Sequence, residues 1–162
     1  MQKRGKVIAL CISAQGNVPK YPQGEVEVGP SGFVGDFHAG ETRISRRTGQ
    51  PKFNDRQLSL VVKEILDNLN AELGITLKPG DFGENITTEG LGDLSDIPDG
   101  ARLRIGGIVA LQVTEQNAPC KNLMIYHRLV VKKSYGRRGI MAFVCEGAGA
   151  VLKPGMEIEV IA

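Results

Sequence analysis

Glycine and proline recur so often along this chain that no regular element can run far. Twenty-one glycines and eight prolines among 162 residues cut it into short apolar runs, because turns built on glycine use backbone conformations that other residues resist. Between the breaks, Lys6 to Ser13 (Lys-Val-Ile-Ala-Leu-Cys-Ile-Ser) reads as a buried strand. Glu25 to Val28 and Gln57 to Val61 alternate in the period of a strand. Ala101 to Thr114 reads as a hairpin turned by Gly106-Gly107, a pair suited to positive φ. Ile140 to Glu146 is strand-like, and Lys153-Pro154-Gly155 leads into a last strand with Met156, Ile158 and Val160 on one face. One segment breaks the pattern. Val62, Ile65, Leu66, Leu69 and Leu73 fall at helical spacing, and Gly74 stands where a helix ends in left-handed backbone. Strands do not alternate regularly with helices, as an α/β fold requires. The expectation is a mainly β fold, an antiparallel barrel or closed sheet with a few short helices, formed by residues 1–162 as one domain. The basic stretch from Arg43 to Phe53 is expected to be a mobile loop.

Charge and cysteine usage narrow the function classes. The formal net charge is only +2, short of the concentrated basic face that bulk nucleic-acid binding needs. Two small basic clusters occur, Arg43, Arg46 and Arg47, and Lys132, Lys133, Arg137 and Arg138. They read as solvated loops or as the frame of an anionic small ligand. The cysteines are Cys11, Cys120 and Cys145, an odd number without CxxC spacing, which fits a reducing compartment. No signal peptide is read at Met1 to Lys6, and no apolar run approaches the roughly 20 residues that span a bilayer. A cytoplasmic protein without nucleic-acid or membrane partners is the expectation.

Three stretches carry chemistry. In Val113-Thr114-Glu115-Gln116-Asn117-Ala118-Pro119-Cys120-Lys121-Asn122-Leu123, proline fixes its own φ and disfavours helix at Ala118, so regular structure can resume only near Cys120. Leu123, Tyr126, Leu129 and Val130 then follow at helical spacing. A cysteine opening a helix beside Lys121 is placed to be a thiolate, the form that attacks, carries sulfur or ligates a metal. The competing reading is a small buried hydrophobe. Gly35-Asp36-Phe37-His38-Ala39-Gly40 is a glycine-bracketed turn, either an Asx turn with His38 merely exposed or a rigid loop offering His38 to a ligand. Pro79-Gly80-Asp81-Phe82-Gly83-Glu84-Asn85 is a turn whose glycines permit close backbone approach. Asn85 offers both donor and acceptor, which suits the edge of a heterocycle.

Taken in order, Gly35–Gly40, Pro79-Gly80-Asp81-Phe82-Gly83-Glu84-Asn85-Ile86-Thr87-Thr88-Glu89-Gly90-Leu91 and Ala118-Pro119-Cys120, with Arg56-Gln57-Leu58-Ser59-Leu60 between the first two, resemble the MOSC family. This is the domain found at the C-terminus of molybdenum cofactor sulfurases, and the size suggests a stand-alone, bacterial-type member. The resemblance implies a β-barrel-like fold and the molybdenum cofactor, a molybdopterin, with Cys120 as the protein's ligand to molybdenum. It places Gly83, Glu84 and Asn85 against the pterin, and His38, Arg56 and Lys121 around the same pocket. It implies either reduction of N-hydroxylated compounds or carriage of sulfur for metal–sulfur cluster assembly. Reduction of a small-molecule substrate would need an external electron-donor reductase, since no flavin, haem or iron–sulfur motif is visible. The chain departs from the family where many members carry an aromatic ring shortly after the Arg-Gly step; here Arg138-Gly139-Ile140 is followed by Met141.

Overall fold

The computed structural model describes residues 2–161. In chain order the elements are β1 (Lys3–Ile12), β2 (Tyr21–Gln23), β3 (Val26–Gly29), β4 (Gly32–Phe33), β5 (Thr42–Ile44), β6 (Pro51–Phe53), β7 (Leu58–Val62), α1 (Lys63–Leu73), β8 (Ile86–Glu89), β9 (Arg102–Ile105) and β10 (Val109–Gln116). A 3-10 helix at Lys121–Ile125 follows, then α2 (Val130–Ser134), β11 (Ile140–Glu146), β12 (Val151–Leu152) and β13 (Glu157–Ile161).

Seven strands close into a barrel in the order β1, β13, β9, β10, β11, β7, β8 and back to β1, with β2 added beside β1. Every ladder of the ring is antiparallel except β7–β8, where Leu60 lies opposite Ile86 and Val62 opposite Thr88 in parallel register. Parallel neighbours need a crossover, and α1 supplies it. The helix buries Ile65, Leu66 and Leu69, and Gly74 ends it at φ 65° with its N–H on Asn70 O. Asn70 then clamps the return, its amide donating to Leu77 O at 2.9 Å. No helix among the described residues is long and apolar enough to cross a membrane.

Strand alternation builds the core. Leu10, Leu58, Leu60, Leu103, Leu111, Ile140 and Ile158 are all fully buried, each contributing about 1.5–3 kcal/mol of burial. Ile158 and Val160 lie inside as their spacing predicts. Gly106 and Gly107 both take positive φ, and with Ile108 they form a three-residue loop between the paired residues Ile105 and Val109.

Two expectations are corrected. Arg43 to Phe53 is not a plain loop but a two-stranded ribbon, β5 paired with β6 through Thr42–Phe53, Arg43–Lys52 and Ile44–Pro51. The segment after Cys120 is not one helix but a 3-10 turn followed, after a break, by the single turn of α2. Tyr126 and Leu129 have apolar surface to bury, yet only Leu123 and Val130 reach full burial. That is too little shared surface to hold a continuous helix together.

Candidate functional site

A cavity of about 630 Å³ lies over the β7–β11 pair. Ser59 and Met141, direct partners across that ladder, form part of its floor. The β5–β6 ribbon supplies Arg43, Ile44 and Arg46 to one side, the loop before β8 supplies Phe82 and Gly83, and the β10–β11 connection supplies Asn117 to Cys120 and Arg138. Four arginines line this space, Arg43, Arg46, Arg56 and Arg138, and no aspartate or glutamate does. Arg43 is held by Asp55 at 2.7 Å. Arg56 Nε lies 2.9 Å from Glu115 Oε1, but its N–H is not aimed at that oxygen, so the contact is coulombic rather than a hydrogen bond.

Cys120 is exposed on the wall of this cavity. Its thiol donates to Asn122 Oδ1, and Asn122 is itself tied to Asn17 Oδ1 at 2.8 Å. The charge facing the sulfur is the guanidinium of Arg138, with Nη1 3.5 Å from Sγ. Arg138 is 7% exposed. It is fixed by donating from Nη1 to Ala118 O and from Nη2 to Phe82 O, both at 2.9 Å. Its Nε is buried without a partner. A cation so placed, with no carboxylate to neutralise it, complements negative charge on the sulfur. The sequence suggested a helix terminus and Lys121 for this role. The five-residue 3-10 helix is too short to offer a macrodipole of consequence, and Lys121 is exposed, away from the lining.

The glycine loop also divides. Gly83 lines the cavity at φ 76°. Glu84 does not: it is fully buried, with Oε1 accepting from Phe82 N at 3.2 Å and Oε2 from the Thr87 hydroxyl at 2.8 Å. Desolvation pushes its carboxyl above the usual carboxylate range. Its side chain braces its own loop and does not line the cavity. Asn85 reaches the cavity wall, with both lone pairs of its amide oxygen and one of its two N–H donors engaged by the protein. It donates to Cys11 O at 3.1 Å and accepts from Ser59 N at 3.2 Å and Lys20 Nζ at 3.4 Å. It stitches the start of β8 to β1 and β7.

His38 lines the cavity, on a turn held from both sides. Asp36 does close an Asx turn, its Oδ2 accepting from His38 N–H at 3.1 Å. The loop is pinned from the other side by Asn54, whose amide donates to His38 O and Gly40 O at 2.8 and 2.9 Å. Beneath the ring sits Lys20, 2% exposed. It lies 2.7 Å from Asp36 Oδ2 and 3.0 Å from His38 Nδ1. Desolvation and the neighbouring Lys20 charge hold the His38 imidazole below its ordinary value. Nothing in the sequence around Lys20 singled it out.

The model of the MOSC domain matches residues 34–160. The chain belongs to the MOSC domain family. A Bacillus subtilis relative, YuaD, named for metal-sulfur cluster biosynthesis, is 31% identical over 149 residues, covering 80% of this chain and 76% of its own. Its crystal structure superposes with a TM-score of 0.85 at 24% identity, covering 99% of this chain and 97% of that one. YiiM from Geobacillus stearothermophilus has the same fold at a TM-score of 0.71 and 19% identity, covering 98% of this chain and 75% of its own. YiiM from Escherichia coli matches at 0.66 and 20%, covering 98% and 70%. The barrel read from glycine-punctuated strands is thus the fold of this MOSC protein.

The three thiols of this MOSC chain should react unequally. Burial, reinforced by Glu84, pushes the Cys11 thiol up to about 12, and Cys11 is completely enclosed. Cys145 is half-buried, and desolvation raises it too. Brief iodoacetamide treatment of folded, cofactor-free protein, followed by peptide mapping, should label Cys120 first and Cys11 last. Equal labelling of all three would remove the physical case for a special sulfur.

Proposed function

We propose that this MOSC protein holds the molybdenum cofactor in the arginine-lined cavity, with Cys120 as the protein's ligand to molybdenum, and reduces N-hydroxylated small molecules. The observation that carries this is an exposed cysteine sulfur facing a buried, carboxylate-free arginine on the wall of a cavity whose size is that of a cofactor site. The donor set fits such a group. Among the described residues no three His, Cys, Asp or Glu side chains converge on a metal position. A metal at Cys120 would therefore bring its other ligands with it, as a pterin dithiolene does, and thiolate suits such a soft centre. The arginines and the unpartnered Arg138 Nε match an anionic, acceptor-rich molecule.

The bound group supplies the two-electron change. Overall, R–NHOH takes up two electrons and two protons and leaves as R–NH2 and water, the electrons coming from an external reductase. The chain's own residues would do the rest. Arg138 holds charge against the sulfur, Gly83 keeps the wall open, and the β5–β6 ribbon covers one side. A second reading follows from the YuaD name: Cys120 could carry a persulfide for metal–sulfur cluster assembly, for which an exposed, cation-faced sulfur is equally suited.

Metal and pterin analysis separates the two. Protein purified from a host that makes the cofactor should contain molybdenum and a fluorescent pterin oxidation product. Absence of molybdenum, in a host shown to load another molybdoenzyme, would overturn the reductase reading; intact mass showing one extra sulfur on Cys120 would establish the carrier.

A further inference from the structure

The cavity wall that carries His38 is built over a buried ion pair, Lys20 with Asp36. Lys20 Nζ has three acceptors, Asp36 Oδ2 at 2.7 Å, His38 Nδ1 at 3.0 Å and Asn85 Oδ1 at 3.4 Å. An ammonium carries three protons and no lone pair. Burial lowers the Lys20 ammonium from its ordinary value, and the bond and charge of Asp36 oppose that shift; with the ammonium kept by Asp36, Lys20 donates to His38 and Nδ1 accepts. The imidazole proton is then on Nε2, at the ring edge facing away from the buried lysine. The ring is 43% exposed at its side chain and lines the cavity. The carboxylate that usually backs a basic histidine is absent from this role. Asp36 Oδ2 is 3.8 Å from Nδ1, too far to bond, and is occupied by Lys20 and the His38 backbone N–H.

We infer that His38 is a neutral hydrogen-bond donor to the cavity's ligand through Nε2–H, and that Lys20 is the positioning residue that fixes this tautomer. A carboxylate behind an imidazole makes it a base; an ammonium behind it makes it an electrophile that polarises an oxygen without becoming charged. The groups facing the ring all oppose protonation except one: Lys20 and Arg56 disfavour the imidazolium, and Asp36 favours it. With the arginines, this adds one more donor to a cavity lined by four cations and no carboxylate. The ligand atom it meets is an acceptor, and on the reductase reading, on which this assignment of the bonded atom rests, that atom is the oxygen of the N–OH group.

The tautomer can be read without any turnover. The chain has two histidines, so nitrogen-15 imidazole spectra of cofactor-free protein resolve both, and His38→Gln assigns them. The expected result for His38 is the Nε2–H tautomer, with a titration midpoint below the ordinary imidazole range. Lys20→Met alone strands a buried Asp36 carboxylate and risks misfolding, so the decisive protein is Lys20→Met/Asp36→Asn. There the two tautomers should mix and the midpoint should move up. An Nδ1–H tautomer in the parent, or an unchanged spectrum in the double variant, overturns the inference. In cofactor-loaded protein with an N-hydroxylated purine, His38→Leu should lose about 100-fold in kcat, the size of a lost oxyanion donor. His38→Gln, which keeps an N–H there, should retain most of it. Leucine equal to the parent, or glutamine as poor as leucine, contradicts the donor role. No turnover by the parent would sink the reductase reading while the tautomer result decides the role of Lys20.

Discussion

Cys120→Ser should abolish reduction of N-hydroxylated compounds, by more than about 100-fold, given that even the outer-shell partners of metal ligands cost 10–100-fold when changed. The fold should hardly notice. Cys120 is exposed, and its sulfur has only Asn122 and a long contact from Arg138, which keeps its bonds to Ala118 O and Phe82 O without it; substitutions at such positions stay within about 0.5 kcal/mol. A serine hydroxyl remains protonated near neutrality and cannot replace a thiolate as a soft ligand. Pterin content should fall less than turnover, because the arginines that line the cavity remain. Turnover with a chemical reductant, a melting curve and pterin quantification on the same preparation give the three numbers. Wild-type turnover by the serine variant would end the assignment of Cys120 as ligand.

Gly139→Ala should be the most damaging single methyl in the molecule. Gly139 has φ +122°, and a Cβ there would stand 1.9 Å from Leu60 O. That oxygen belongs to β7, whose pairing with β11 begins at Ile140, so neither backbone can retreat without opening the ladder. The loss should exceed about 4 kcal/mol, or lower Tm by about 10 °C or more. Gly149→Ala is the control. It too has positive φ, but its Cβ would meet open space, leaving only backbone strain of about 1–3 kcal/mol. Equal melting temperatures for the two variants would show that the close approach of β7 is not what Gly139 is for.

The parts of this structure that were legible in the sequence are those decided by neighbours along the chain. The apolar runs Lys6–Ser13 and Ile140–Glu146 and the stripe ending at Gly74 are local signals, and β1, β11 and α1 follow them closely. The β5–β6 ribbon was illegible because its strands are three residues each and mostly exposed, so no apolar alternation marks them. The single parallel ladder was equally hidden, since register across a crossover leaves no local trace. At the site, Cys120, His38, Arg56 and Gly83 were found by chemistry and motif, and all four line the cavity. The same resemblance placed Glu84 and Lys121 there, yet one is buried and the other exposed, and neither lines the cavity. Lys20 was missed, and Arg138 was read only as one of a basic cluster, for the opposite reason. Their meaning comes from residues far away in sequence: Asp36, His38 and Asn85 for the first, Phe82 and Cys120 for the second.

Closure of the barrel joins its earliest strand to its latest, with Lys3 opposite Val160 and Lys6 opposite Glu157. During synthesis β1 leaves the ribosome first and waits for a partner that is made last. Pairing so remote in sequence is slow to form because the loop entropy is met before the contact is gained. Until β13 emerges, β9 and the first residues of β1 present unpaired edges to the cell. Nascent chains of this kind are exposed to wrong pairing for the whole of their translation, and a truncation that removes β13 would leave them so permanently.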